Sequence, residues 1–267
     1  MKRVKRGIVI SDPHCLSMVG LTPPHWQWST VPEDVDNHNK IAGSQAHHWA
    51  WFDKSIKPLG RLDFAMWLGD MTEGASEKDS GTDTISTNML KQVQCAVDVV
   101  KFVNAKKNIF VFGSNYNVKR VGVEFESLVA KEVSAKIGMH EFVEINGLVF
   151  NLKHHPAGNS KMPHTKGNAL AKDKVFQDEW AGYHGFPQAG VIARGHTHRY
   201  YHVDDGRNHI FHCPAMKMLG DPFGSKYFHG IVNTGFLYFE IEDEFNWDYK
   251  LHQMSYEMSI PKIIKLY

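Results

Sequence analysis

Two histidines follow a short apolar run in Val191-Ile192-Ala193-Arg194-Gly195-His196-Thr197-His198. The apolar run predicts a buried β-strand. On a strand or at its exit, His196 and His198 are two positions apart and point the same way. One rigid element can therefore offer a metal ion two neutral nitrogen ligands. Because His-x-His also occurs on solvated strands, this motif is informative only in combination with others.

Four further apolar runs end in side chains that can bind metal. Residues 7–10 lead into Asp12-Pro13-His14, residues 62–68 into Gly69-Asp70, residues 108–112 into Gly113-Ser114-Asn115-Tyr116-Asn117, and residues 149–153 into His154-His155-Pro156. In α/β folds the loops at the carboxyl ends of strands converge on one edge of the sheet. We therefore expect these side chains to form a single site.

Taken in order, these motifs resemble the signature of the calcineurin-like metallophosphoesterases: Asp-x-His, Gly-Asp, Gly-Asn-His-Asp/Glu, a His, and Gly-His-x-His. The matching segments are Asp12-Pro13-His14, Gly69-Asp70, His154 and Gly195-His196-Thr197-His198. Their order and strand context make the set specific, although each motif alone is weak. The resemblance implies an α/β fold, a four-layer α/β/β/α sandwich of two mixed β-sheets flanked by helices.

The resemblance also implies two metal sites that share one carboxylate. The first would take Asp12, His14, Asp70 and His198, and the second Asp70, a group of the third motif, His154 and His196. A carboxylate has two oxygens, so Asp70 can bridge two cations and take part in catalysis. Imidazole and carboxylate ligands suit Mn²⁺, Fe, Zn²⁺ or Ni²⁺ better than Ca²⁺ or Mg²⁺. We expect two divalent ions, with Mn²⁺ preferred.

The third motif departs from the family pattern, which would supply an Asn ligand and a His that assists the leaving oxygen. Here Ser114 follows the glycine and the motif contains no His. One extra residue would make Asn115 the amide ligand, with Ser114 and Asn117 as alternatives. Asn117 would then stand in the catalytic His position, where an amide replaces a proton donor. The open interpretations are an engineered inactive variant, a weak enzyme, a substrate whose leaving group needs no help, or a structural loop.

Three further residues are candidates for substrate binding. Lys119 and Arg120 follow the third motif and could meet substrate phosphate at the mouth of the site. His155 lies beside the predicted ligand His154 and is expected to support the site next to it.

Residues 15–45 predict a long loop or lid after the first strand, because the segment has prolines, no clear period, and Trp26 and Trp28. These indoles could stack on a nucleobase. The alternative is that they only pin the loop to the body of the protein.

Composition limits the remaining choices. A chain of 267 residues predicts one domain, residues 1–267, and a net charge of +1 gives no overall field that would attract nucleic acid or an anionic membrane. Three cysteines without CxxC spacing indicate a reducing compartment, and the apolar run near the start is too short for a signal peptide or a membrane span. We expect a cytoplasmic protein with no membrane partner; the oligomeric state is open.

Periodicity predicts helices over residues 87–104, 123–137 and 166–180, and late strands over residues 235–242 and 247–254. The pairs Asn146-Gly147 and Asp205-Gly206 predict hairpin turns.

The sequence thus predicts a metal-dependent phosphoesterase that hydrolyses a phosphodiester or phosphomonoester by attack of a hydroxide held between two metals. A nucleotide or nucleic-acid substrate is favoured. The alternatives are a catalytically weak or inactive metal-binding module that recognises phosphate-containing ligands, a phosphoprotein phosphatase, and an interaction domain without metal.

Overall fold

Two mixed β-sheets form the centre of the computed structural model, which describes residues 3–33, 38–75, 81–114, 119–120, 123–158, 165–220 and 231–255. Strands are numbered in chain order. The first sheet contains β1 (Lys5–Ile10), β2 (Leu62–Trp67), β3 (Ala105–Val111), β6 (Lys136–Gly138), β12 (Gly235–Ile241) and β13 (Trp247–Gln253). Its order is β13-β12-β1-β2-β3-β6. In this sheet β1, β2, β3 and β6 run parallel to one another. At the other edge, β12 pairs antiparallel with β1, and β13 pairs antiparallel with β12.

The second sheet contains β7 (Glu141–Ile145), β8 (Leu148–Lys153), β9 (Val191–Arg194), β10 (Tyr201–Asp204) and β11 (His209–His212). Its order is β10-β11-β9-β8-β7, with β8, β9 and β11 parallel to one another. A short ribbon pairs β4 (Lys119–Arg120) with β5 (Val123–Glu124). Parallel neighbours carry their following loops at the same end of a sheet. The His196 backbone N–H donates to Asp12 Oδ2 at 3.0 Å, so these ends of the two sheets meet.

Alternating side chains of the first sheet supply two different cores. Val9, Phe64 and Phe239 belong to the apolar cluster that also contains Phe150 and Leu152 of the second sheet. That cluster fills the space between the sheets, as the period of two along a strand requires. The opposite face of the first sheet therefore packs against helices.

Four helices flank the sheets in the part of the chain that the structure describes: α1 (His38–Ile56), α2 (Met89–Val103), α3 (Phe125–Glu132) and α4 (Lys166–His184). The first three share an apolar cluster with the outer face of the first sheet. On the other side, Leu170 of α4 packs with Ile192 and Ile210 of the second sheet. The predicted four-layer α/β/β/α sandwich is confirmed.

The predicted elements agree with the structure except in two places. Residues 38–45, predicted as the end of a loop, form the first turns of α1; the other exception is the helix predicted over residues 123–137. Both hairpins are present, and Asn146 and Gly147 take positive φ values of 54° and 101° as a tight turn requires. The helix predicted over residues 123–137 is wrong in its second half. It ends at Glu132, and Lys136–Gly138 instead forms β6 on the open edge of β3. Pairing with a sheet edge overrode a weak helical pattern.

The loop after β1 is held by contacts with two helices. The Trp26 indole N–H donates to Asp98 of α2 at 2.8 Å, and the Trp28 ring stacks on His38 of α1 with centroids 4.6 Å apart. These contacts pin both indoles to the protein. Residues 34–37 lie outside the described part of the chain. Because α1 begins at His38, the predicted loop is shorter than residues 15–45, and a lid role for the segment before α1 stays a prediction. Among the described helices, none has the length and apolar character needed to cross a membrane.

Candidate metal centre

The predicted ligands all follow the carboxyl ends of strands. The residues that follow the strands, in chain order, are Asp12 and His14 after β1, Asp70 after β2, Ser114 after β3, His154 after β8, and His196 and His198 after β9. The first three strands belong to one sheet and the last two to the other. The candidate site therefore lies where the two sheets meet at one end of the sandwich.

The backbone at these exits is strained in a consistent way. Nine described residues other than glycine have positive φ, and five of them are predicted ligands, namely Asp12 (51°), His14 (45°), Asp70 (52°), His196 (69°) and His198 (54°). A residue with a Cβ atom in this region costs on the order of 1–3 kcal/mol. Such strain persists only where the surrounding structure enforces it. It concentrates here on the turns that carry the donor atoms.

The first group of donor atoms brings together Asp12, His14 and His198. Asp12 Oδ1 lies 3.2 Å from His198 Nε2 and 3.9 Å from His14 Nε2. Asp12 Oδ1 and His14 Nε2 are buried and have no hydrogen-bond partner among the described residues. Two ligands about 2.1 Å from one ion lie roughly 3–4 Å apart. This group therefore fits a divalent metal, which would satisfy both orphaned atoms.

The second group surrounds the Ser114 hydroxyl. Ser114 Oγ lies 3.2 Å from Asp70 Oδ2, 3.3 Å from His154 Nε2 and 3.3 Å from His196 Nδ1. Asp70 Oδ2 is in turn 3.3 Å from His154 Nε2 and 3.7 Å from His14 Nε2 of the first group. The Asp70 carboxylate thus lies between the two groups, where one carboxylate could serve both.

The third motif reaches the site through Ser114. The Ser114 backbone N–H donates to Asp70 Oδ1 at 2.5 Å. A Cβ atom at Gly113 would lie 2.2 Å from the Asp70 backbone nitrogen, so only glycine permits this approach. Asn115 and Asn117 lie outside the described residues, and their roles as ligand and catalytic group stay predictions. Ser114, the alternative to Asn115, is the residue of this motif that the structure places among the donors.

Charges inside the site stabilise one another. Burial would raise the pKa of Asp12, but the histidines, His198 and His154 first, outweigh burial and lower that pKa. The pKa of Asp70 is lowered in the same way, chiefly by His154. Burial would lower the pKa of His154, yet Asp70 and Asp12 raise it to about 10. Without metal, His154 therefore holds a proton between carboxylates, and a metal ligand must lose that proton.

A buried ion pair behind His14 was not predicted from the sequence. Glu73 Oε2 lies 2.7 Å from His14 Nδ1, and Lys217 Nζ donates to Glu73 Oε1 at 2.7 Å. Burial would raise the pKa of Glu73, but Lys217 and His14 lower it to about 2. An ionised Glu73 holds the proton of His14 on Nδ1 and leaves Nε2 directed at the first group. The only sequence signal was an acidic residue three positions after Asp70.

A second unpredicted residue joins two of the motifs. Glu126 at the start of α3 is fully buried and accepts the backbone N–H groups of Met71 at 2.8 Å and Gly113 at 2.7 Å. Burial and the nearby Asp70 raise the pKa of Glu126 to about 7. Its carboxyl group fixes the loop after β2 relative to the loop after β3.

The predicted substrate-binding residues have different outcomes. His155 is exposed, and its ring centroid lies 4.3 Å from that of His196 and 4.7 Å from that of His154. The backbone of Lys119 and Arg120 forms β4, and their side chains lie outside the described part of the structure. Substrate contacts by all three stay predictions.

Sequence comparison finds no matching protein-family model and no matching curated protein. Solved structures do match. Wild-type Vps29 from Entamoeba histolytica complexed with Zn²⁺ is 12% identical, over 93% of this chain and 98% of that one, with a TM-score of 0.44.

A novel archaeal phosphodiesterase is 14% identical, over 92% of this chain and 99% of that one, with a TM-score of 0.43. A predicted phosphoesterase from Streptococcus pneumoniae TIGR4 is 12% identical, over 91% of this chain and 86% of that one, with a TM-score of 0.39.

Proposed function

We propose that this protein is a metal-dependent phosphoesterase that hydrolyses a phosphodiester or phosphomonoester, with a nucleotide or nucleic-acid substrate favoured. The observation that carries the proposal is the position of Asp70. Its Oδ2 lies within 3.7 Å of His14 Nε2 on one side and 3.3 Å of His154 Nε2 on the other. Two donor groups that share one carboxylate are suited to a pair of ions.

The chain's own residues would divide this work. Asp12, His14 and His198 would hold the first ion. His154, His196 and a residue of the third motif, Asn115 or Ser114, would hold the second, and Asp70 lies between the two groups. When bound, two divalent ions would neutralise phosphate charge and lower the pKa of a water molecule. Mn²⁺ is the ion we favour, with Fe, Zn²⁺ and Ni²⁺ as the alternatives that this donor set also suits.

The substrate phosphate would approach from the exposed side of the second group. His155 stands there, next to His154 and His196, and can hydrogen-bond a phosphate oxygen. We assign Lys119 and Arg120 to the same phosphate, because they follow the third motif in sequence. Asn117 would orient the leaving oxygen through its amide, without supplying a proton.

A second candidate function is that of a metal-binding module that recognises phosphate esters and turns them over weakly or not at all. The specific observation in its favour is the third motif, which offers Ser114 among the donors and contains no His. The substitution Asn117→His separates the two functions. A large gain in turnover would identify an enzyme that lacks its proton donor, whereas unchanged binding without turnover would favour the module.

The direct test is hydrolysis of bis-p-nitrophenyl phosphate and p-nitrophenyl phosphate after loading with Mn²⁺. We expect Asp70→Asn to abolish turnover, because both groups lose their shared ligand. The control is His184→Ala, which changes an exposed histidine at the end of α4. Equal turnover in the wild-type protein and Asp70→Asn would contradict the proposal.

A further inference from the structure

A cavity of about 320 Å³ opens beside the second donor group, between α4 and the end of β8. Its lining includes Lys153 and Pro156 from the strand end, Phe176, Glu179 and Trp180 from α4, and His155. Pockets for small ligands are usually of about 300–1,000 Å³. This cavity is at the small end of that range, so it suits one small ring system and excludes a folded peptide.

The helix gives the cavity an aromatic wall. Asp173, Phe176 and Trp180 are spaced by three and four residues, which places them on one face of α4. The Phe176 and Trp180 rings have centroids 6.4 Å apart and planes only 20° apart. Phe176 is 41% exposed, so this aromatic surface is open to a ligand. Its near-parallel rings favour a flat partner over a branched aliphatic one.

Polar groups at the cavity are either held in place or available at the rim. The Arg194 guanidinium donates to Asp173 at 2.8 Å, and Asp173 also accepts the Ala157 N–H at 3.1 Å, which fixes the base of the cavity. The Lys153 ammonium lies 5.6 Å from the centroid of the Trp180 ring. The Lys153 ammonium can donate a hydrogen bond to the edge of a heteroaromatic ring, and the Glu179 carboxylate can accept one.

His155 connects this cavity to the candidate metal centre. It lines the cavity, and its ring lies 4.3 Å from that of His196. A substrate phosphate at the second donor group would therefore place its organic substituent at the cavity mouth. We propose that the cavity binds the nucleobase of a nucleotide substrate, against Phe176 and beside Lys153. This inference rests on the proposed function and adds the part of the site that binds the base.

The test is calorimetric binding to the full-length, metal-loaded protein, with adenosine and uridine 5′-monophosphates compared with ribose 5-phosphate, which lacks a base. We expect at least one of the nucleotides to bind tenfold or more tightly than ribose 5-phosphate. Phe176→Ala should remove most of that preference while leaving ribose 5-phosphate binding unchanged. The matched control is Tyr183→Ala, on the same helix and 85% exposed, which should keep the full preference. Thermal unfolding confirms that each variant is folded.

Equal affinity for the nucleotides and ribose 5-phosphate would overturn the inference, and so would a preference that survives Phe176→Ala. Binding and turnover are measured separately, so the two proposals can fail separately. Base preference without hydrolysis sustains the nucleobase cavity and contradicts only the proposed enzyme. Hydrolysis of bis-p-nitrophenyl phosphate without base preference contradicts only the cavity.

Discussion

Replacement of Glu73 by Gln tests the buried support behind His14. The pKa of Glu73 falls from an ordinary 4.5 to about 2, because Lys217 and His14 together outweigh the effect of burial. At 1.36 kcal/mol per pKa unit, the ionised side chain is favoured by ~3 kcal/mol in the folded protein. A Gln at this position keeps the shape and loses the charge. We therefore expect Glu73→Gln to lower the free energy of unfolding of the metal-free protein by about 2–3 kcal/mol at pH 7.

The lowered pKa of Glu73 also determines how its contribution to stability changes with pH. A carboxyl whose pKa is depressed in the folded state stabilises the protein above its unfolded pKa, and this stabilisation is lost as pH falls towards the folded pKa. The stabilisation by ionised Glu73 is therefore lost as the pH falls from 4.5 to about 2. The difference between wild type and Glu73→Gln should be about 1 kcal/mol smaller at pH 3.5 than at pH 7.

Urea unfolding of the metal-free proteins measures both quantities. The control is Glu132→Gln at an exposed position of α3, which should change stability by less than ~0.5 kcal/mol. Lys217→Met should also be destabilising, and the double variant should lose less than the sum of the two single variants. Metal affinity should fall about 10–100-fold in Glu73→Gln, because His14 is no longer oriented. The reasoning would be refuted if Glu73→Gln were as stable as the wild-type protein at pH 7. It would also be refuted if the losses of unfolding free energy in Glu73→Gln and Lys217→Met added up fully in the double variant.

Three further outcomes are expected. Ser114→Ala should lower the metal content by about one ion per chain, measured by elemental analysis, because its hydroxyl lies among the donors of the second group; two ions retained would exclude Ser114 as a ligand. Glu126→Ala should lower the free energy of unfolding by about 2–5 kcal/mol in urea titrations, since it leaves two buried N–H groups without an acceptor; a loss below 1 kcal/mol would contradict this. The apparent affinity for Mn²⁺ should rise about tenfold per pH unit between pH 6 and 9, because metal binding must release the proton of His154. Burial lowers the pKa of His154, but Asp70 and Asp12 outweigh burial and raise that pKa to about 10. A flat pH profile in a calorimetric titration would show that no such proton is released.

The strand ends that carry the donors could be predicted from the residues themselves, whereas the layered fold followed from the family resemblance, because periodicity alone indicates only a mixed α/β protein. Apolar runs that end in Asp or His are local signals, and parallel strands then bring their ends together. Lys217 could not be predicted in the same way, because it joins Glu73 across 144 positions and belongs to no motif. The same is true of Glu126, whose role depends on how α3 packs. The strand at residues 136–138 was missed because its pairing with β3 is a tertiary effect.

The central claim is that two ions share Asp70, and elemental analysis of the Mn²⁺-loaded protein tests it most directly when combined with hydrolysis of bis-p-nitrophenyl phosphate. We expect close to two ions per chain in the wild-type protein. His198→Ala should retain about one ion, and Asp70→Asn should retain neither, with turnover lost in both variants. A wild-type protein that binds no metal, or an Asp70→Asn variant that keeps both ions, would contradict the account.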